Sequence, residues 1–185
     1  MDFIEIYENA FSNECCDATI NFFELSKQKK PGHVLIDNKN TVVKEIKDST
    51  DICLDFRDRT EVTDSIFKCL NDYFYLYIQK YDCVQTTLNS LRPHGEFNIQ
   101  RYYPGQGYSK VHCEHSSKNC ITVFAWMIYL NSVEGGGTEF TNYNKVLECK
   151  KGSLVIWPAY WTHSHRGIIS NKDTKYIATG WIDFL

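Results

Sequence analysis

Apolar residues recur along this chain with two different periods, and the change from one to the other falls near residue 95. In the first part Cys16, Ile20 and Phe23, with Phe22 beside them, stand at helical spacing behind Ser12, whose hydroxyl can cap a first turn. This predicts a helix from about Ser12 to Ser26, closed by the cations and the Pro-Gly break of Lys27 to Gly32. A second helix is predicted from Thr60 to Gln79, where Val62, Ile66, Leu70, Tyr73 and Tyr77 form one stripe and Thr60 is the candidate cap. Both read as packing helices that buttress a sheet. Phe3 to Tyr7 predicts a short strand, and between the helices only Val34 to Ile36 and Ile52 to Phe56 suggest strands. The weak pattern from about Gly32 to Asp58 reads either as an ordinary surface connection or, together with the Pro104 to Lys110 turn, as a lid over a pocket.

Pro93-His94-Gly95 predicts a break, after which the period becomes that of strands. Strands are expected at Phe97 to Tyr103, Ile121 to Leu130, Ser153 to Trp157 and Lys175 to Phe184, with Glu134 to Gly137 as a turn leading into another. The pattern predicts a mainly β fold, barrel or sandwich, with flanking helices. The expected organisation is one domain over residues 1–185, with an N-terminal helical support region (1–95) and a β core (96–185).

Composition narrows this only a little. A net charge of -3 gives no general attraction to nucleic acid, and 15% aromatic residues, twelve of them tyrosine, suit a β-rich fold with amphipathic pocket walls. The eight cysteines show no regular framework and no C-x-x-C pair, and the opening Met1-Asp2-Phe3-Ile4-Glu5 is too acidic for a secretory signal. Reduced thiols in a soluble, cytoplasmic protein are expected, since no run approaches the roughly 18 apolar residues of a membrane span.

The candidate chemistry lies in two short pieces. His112 and Glu114 stand two apart, so on a strand both side chains leave the same face. His163 and His165, two apart and so expected on one strand face, compete to supply a third ligand, and Lys175, ten residues after His165, favours the latter by bringing an ammonium toward the same pocket. Two histidines, one carboxylate and a nearby cation suit a facial iron site that holds a dicarboxylic acid. Glu139 is an alternative carboxylate without a histidine neighbour; His33 and His94, beside glycine or proline, read as structural, and His115 as facing away.

Taken in order, Tyr102-Tyr103-Pro104-Gly105-Gln106-Gly107-Tyr108, His112-x-Glu114, Tyr129-Leu130-Asn131, Gly135-Gly136-Gly137-Thr138-Glu139-Phe140, Lys151-Gly152-Ser153-Leu154, His165 and Lys175-Tyr176-x-x-x-Gly180-Trp181 resemble the prolyl 4-hydroxylase branch of the iron(II)/2-oxoglutarate-dependent dioxygenases. The compact members met in bacteriophages and other viruses are nearest. The resemblance implies a double-stranded β-helix, the jelly-roll or cupin-like fold, with N-terminal helices packed on one sheet. It implies Fe(II) on His112, Glu114 and His165, and 2-oxoglutarate with its far carboxylate on Lys175 and Tyr129 beside it. Either Tyr102 or Tyr103 would face the cosubstrate, strand parity with Gln100 and Asn98 favouring Tyr102. Glu114 departs from the family's usual aspartate.

The implied reaction consumes O2, with ascorbate a candidate accessory reductant, and hydroxylates a substrate C-H while releasing succinate and CO2. The expected partner is a proline-containing peptide, hydroxylated to 4-hydroxyproline, with no membrane or nucleic acid involved. Another protein side chain, a free amino acid or a nucleobase are the alternative substrates. The rival classes are a zinc hydrolase and a non-catalytic, metal-binding cupin-like module. For a viral member the compartment would be the host cytoplasm.

Overall fold

The computed structural model describes residues 1–36, 39–87, 90–116 and 119–185. Helices form where cap and stripe coincide. After the short strand β1 (Glu5–Tyr7), the Ser12 hydroxyl accepts from the Cys15 amide and opens α1 (Asn13–Leu25), which buries Cys16 and Phe23. Strands β2 (Lys30–Pro31), β3 (Val34–Ile36), β4 (Lys39–Thr41) and β5 (Thr50–Asp55) follow. Thr60 then caps α2 (Glu61–Lys80) reciprocally: its hydroxyl accepts from the Thr63 amide at 3.1 Å, and its own amide donates to Thr63 Oγ1 at 2.8 Å. Of the predicted stripe Val62, Ile66, Leu70 and Tyr77 are buried and Tyr73 half-buried. A short α3 (Asp82–Thr87) completes the helical region.

The rest is strand: β6 (Leu91–Tyr102), β7 (Thr122–Tyr129), β8 (Val133–Phe140), β9 (Lys145–Cys149), β10 (Leu154–Pro158), β11 (His165–Gly167) and β12 (Lys175–Phe184). Among the described residues they form a seven-stranded sheet, β1-β10-β7-β12-β6-β5-β2, a three-stranded sheet, β11-β8-β9, and the hairpin β3-β4, all antiparallel. The large sheet thus takes strands from both sides of residue 95. Its centre is buried on both faces, which explains the unbroken apolar run of β7. Phe124, Trp126 and Ile128 pack with α1 and α2 in one core, whereas Ala125, Met127 and Tyr129 pack with Phe140 and Leu147 of the smaller sheet in another. Two facing sheets with helices covering the outer face of the larger one make a double-stranded β-helix.

Two expectations fail for physical reasons. Pro93-His94-Gly95 does not break the chain; it lies inside β6, because β5 pairs only with Glu96 to Arg101 and leaves an open edge beside Pro93, where a missing N–H is tolerated. The triple glycine is not a turn before a strand but part of β8. Between Val133 and Thr138 that strand takes five steps while β9 takes two, from Cys149 to Leu147, so the glycines form a bulge. A Cβ on Gly137 would lie 1.8 Å from the Leu147 carbonyl oxygen, whereas Gly135, at φ +65°, faces open space.

Gly137→Ala is therefore expected to destabilise the chain by about 3 kcal/mol or more, through displacement of β9. Gly135→Ala should cost only about 1 kcal/mol of left-handed strain. Urea unfolding of both variants checks the contrast, and equal losses would contradict it.

Candidate active site

Two backbone hydrogen bonds set the centre of the site. The His112 amide donates to the His165 carbonyl at 3.0 Å and the His165 amide to the His112 carbonyl at 2.9 Å, an isolated antiparallel bridge that holds the two imidazoles 4.5 Å apart. His165 opens β11, which the β8 ladder anchors opposite Phe140. His112 to Glu114 runs outside any regular strand, yet the Glu114 amide donates to the Ala159 carbonyl at 3.0 Å and the two side chains still converge. Glu114 Oε1 lies 3.4 Å from His112 Nε2 and 3.6 Å from His165 Nε2, and ligating atoms of all three residues fall within 4.8 Å of one another.

This trio fits a metal ion. His112 Nδ1 lies 2.9 Å from the Lys110 carbonyl oxygen and His165 Nδ1 3.0 Å from that of His163. A carbonyl only accepts, so Nδ1 carries the proton in each neutral ring and both Nε2 lone pairs face Glu114. Burial raises the Glu114 carboxyl, but the hydrogen bond and charge that these imidazoles supply when protonated in acid, together with the indole N–H of Trp181, outweigh it and hold the group at about 2. Burial, with the neighbouring His112, lowers His165 to about 4. The ring of Tyr108 stacks on His112 at 3.7 Å, and those of Trp157 and Phe140 stand 5.0 and 5.4 Å from His165.

A cavity of about 400 Å³ opens beside the trio, lined among others by Gln100, Tyr102, Tyr108, Trp157, Lys175 and Trp181. Lys175, only 5% exposed, donates to the carbonyls of Gly136 at 2.8 Å and Ile168 at 3.3 Å and lies 5.3 Å from the Tyr102 ring centre. Among the described residues it has no carboxylate partner, and burial lowers its pKa. A buried ammonium served by neutral carbonyls alone fits an anionic ligand group.

The other sequence candidates separate clearly. Tyr102 is buried, its hydroxyl donating to Gln100 Oε1 at 2.7 Å, whereas Tyr103 is 46% exposed and stacks on Arg101 away from the cavity. Tyr129 is fully buried on the same inner face, its hydroxyl 2.7 Å from Thr138 Oγ1. His163 shares no strand face with His165: it ends a 3-10 turn, and its Nε2 donates to the Asp2 carbonyl at 2.7 Å. Glu139 accepts from Arg166 at 2.6 Å, His115 stacks on Tyr160, and His94 pairs with Asp183. His33 lines the cavity mouth with Val34, Leu35 and Asn40. The segment that carries them is joined to the Pro104 to Lys110 turn through the Asp48 amide and the Gly107 carbonyl, 2.9 Å apart.

Sequence reasoning missed two features of the wall. Trp181, whose Nε1 donates to Glu114 Oε2 at 2.7 Å, was legible by parity with Lys175, Ile177 and Thr179, all of which line the cavity. The buried Lys47–Asp51 pair, at 2.7 Å, with Gln100 donating to the same Asp51 oxygen at 3.1 Å, had no such signal.

Residues 97–183, the part of the chain that carries the trio and Lys175, match the 2OG-Fe(II) oxygenase superfamily. The bovine procollagen-lysine,2-oxoglutarate 5-dioxygenase 1 is 34% identical over 90 residues, a match that takes in 46% of this chain and only 12% of that protein. Solved structures extend the likeness of fold to the whole chain. The viral collagen prolyl hydroxylase of Paramecium Bursaria Chlorella virus-1, as its 2OG complex, is 20% identical, with a TM-score of 0.72 over 100% of this chain and 97% of that one. The Trichoplax adhaerens prolyl hydroxylase, in complex with a hypoxia inducible factor oxygen degradation domain peptide fragment, is 18% identical, with a TM-score of 0.77 over 100% and 84%. Among the described residues no helix is long and apolar enough to cross a membrane.

Because burial makes the folded state bind the Lys175 proton less tightly than the unfolded state does, the ammonium costs stability at neutral pH, and that cost fades as pH rises from the lowered value toward the ordinary lysine range. Lys175→Met should accordingly raise the Tm of the metal- and ligand-free chain by roughly 3–6 °C. An unchanged or lower Tm by calorimetry would mean that the two carbonyls already satisfy the charge.

Proposed function

We propose that the chain is an Fe(II)- and 2-oxoglutarate-dependent hydroxylase whose substrate is a prolyl residue in a peptide. The observation that carries this reading is one cavity holding both a His-Glu-His trio and a buried lysine without an anionic partner. His112, Glu114 and His165 would hold Fe(II), and Lys175 the far carboxylate of 2-oxoglutarate, with Tyr102 on the cavity wall and Tyr129 behind it, bonded to Thr138 of the lining. When bound, iron and 2-oxoglutarate supply the oxidising chemistry: O2 converts 2-oxoglutarate to succinate and CO2, and one oxygen atom goes to a substrate C-H.

The chain's own part is to bind, orient and keep water out. The two Nδ1–H···carbonyl bonds fix both imidazoles, Trp181 fixes one oxygen of Glu114, and Met127, Trp157 and Ile177 give the cavity an apolar wall. Proline is favoured over the lysine of the procollagen-lysine relatives by the charges of that wall. Its described carboxylates are Glu114, committed to the trio, and Asp51, whose charge Lys47 balances although its Oδ1 has no hydrogen-bond partner, so the wall offers a substrate ammonium no unbalanced negative charge. A neutral ring needs none, and the faces of Tyr108 and Trp181 suit it.

Aerobic incubation with Fe(II), 2-oxoglutarate and a proline-rich peptide library should give succinate and a peptide heavier by one oxygen. His112→Ala, Glu114→Ala and His165→Ala should each lower turnover by about 10³-fold or more with the fold retained, and His163→Ala should be milder. Lys175→Ala should raise the 2-oxoglutarate requirement by about 100-fold or more, the effect of breaking a desolvated, hydrogen-bonded charge pair. Zinc in place of iron with no succinate formed would favour the hydrolase or binding-module classes, and oxygen on lysine alone would overturn the prolyl assignment.

A further inference from the structure

We propose that Trp181 is the positioning residue that lets a glutamate serve as the carboxylate ligand at position 114, by tying its outer oxygen while the inner one faces the metal; this rests on the metal-centre reading above. The two oxygens of Glu114 already have different roles. Oε1 lies 3.4 and 3.6 Å from the two histidine Nε2 atoms, and Oε2 accepts from Trp181 Nε1 at 2.7 Å. An indole N–H only donates, so it holds a carboxylate oxygen and offers a metal nothing. Glutamate has one more side-chain torsion than aspartate, so without a tether its carboxylate can swing further as well as turn to exchange its oxygens. With Oε2 fixed, the second oxygen is withheld and the longer side chain behaves as a rigid, one-oxygen ligand.

The indole is itself braced. Between Gly180 and Ile182, β12 takes two steps while β6 takes four, from Phe97 to Pro93, so β6 bulges beside Trp181. The bulge carries His94, whose ring meets the indole edge-on with centroids 5.9 Å apart at 89°. His94 Nδ1 lies 2.5 Å from Asp183 Oδ2, and Asp183 Oδ1 accepts from the Thr122 hydroxyl at 2.8 Å. On the strand side Gly180 fits closely, since a Cβ there would come 2.7 Å from Trp126 Cζ2 and 2.9 Å from Phe97 Cβ. The run Thr122, Asp183, His94, Trp181, Glu114 therefore ends at the one ligand whose length departs from the family's aspartate. An aspartate on the same backbone would fall short of the indole by about one C–C bond, roughly 1.5 Å, so the tether is specific to glutamate.

Titration of the purified chain with Co(II) alone, without 2-oxoglutarate or peptide, tests this through metal affinity and the Co(II) absorption spectrum. Trp181→Phe keeps the ring and removes the N–H; it should weaken Co(II) binding by about 10- to 100-fold, the usual cost of losing an outer-sphere partner, and alter the spectrum. In a Glu114→Asp background the same change should alter affinity by less than about 3-fold, the signature of an interaction aspartate cannot make. His94→Ala, which keeps the N–H but loosens its support, should weaken binding by a smaller factor and keeps the idea testable if Trp181→Phe folds poorly. Wild-type-like Co(II) affinity in Trp181→Phe, or equal losses in the Glu114 and Asp backgrounds, would overturn the tether. A wild-type chain that takes up no Co(II) would instead sink the metal-centre reading beneath it.

Discussion

The His112–His165 backbone bridge is the constraint on which the site depends, because it joins segments 53 residues apart that belong to neither the same strand nor the same sheet. His165 reaches it from the smaller sheet through β8, and Glu114 is aligned by Ala159, just beyond β10 of the larger one. The cavity walls have the same double origin: Lys175 and Trp181 project from β12, while Thr138 and Gly167 come from the facing sheet. A site assembled across the gap between two sheets cannot form unless both are packed, so its geometry inherits the rigidity of the whole β-helix rather than that of a loop.

Within this frame the two ends of the cavity carry opposite requirements. At one end an ionised carboxylate faces two imidazole lone pairs, an arrangement that attracts a cation; at the other a buried ammonium has only carbonyl oxygens. Each end is unfavourable when empty, and each is relieved by a group of opposite charge. The fold holds them on adjoining walls because β12 and β7 pair in register, Ile177 against Tyr129, and the inner face of that pair lies over the smaller sheet. The same burial that strains the lysine excludes the water that would otherwise solvate it.

What could be read from the chain, and what could not, follows the range of the forces involved. The caps at Ser12 and Thr60, the α2 stripe and the extent of β12 are local, and the structure reproduces them. Spacing pairs His112 with Glu114, and in the structure His165, which the interval to Lys175 preferred to His163, lies beside them. The misreadings all turn on a distant partner. Pro93 lies within a strand because β5 is short; the triple glycine bulges because the Leu147 carbonyl approaches Gly137; and His163 leaves the strand to meet Asp2, at the other end of the chain. The Lys47–Asp51 pair likewise depends on Gln100, which reaches it only across the β5–β6 ladder. None of these contacts leaves a periodic mark.

The balance of charge in the cavity bears on what else can enter it. Among the described lining residues Lys47 cancels Asp51, and Lys175 is equal and opposite to Glu114. Fe(II) and 2-oxoglutarate carry two charges each, of opposite sign, so the proposed cosubstrate pair adds no net charge to a wall that has none. A substrate ammonium entering that enclosure would give up its hydration and meet no negative charge that is not already balanced, a cost of several kcal/mol. A prolyl ring would give up almost nothing and gain contact with Tyr108, Met127 and Trp181. On the proposed reading, discrimination between the two side chains lies less in any contact made to proline than in the lack of an unbalanced negative charge for lysine.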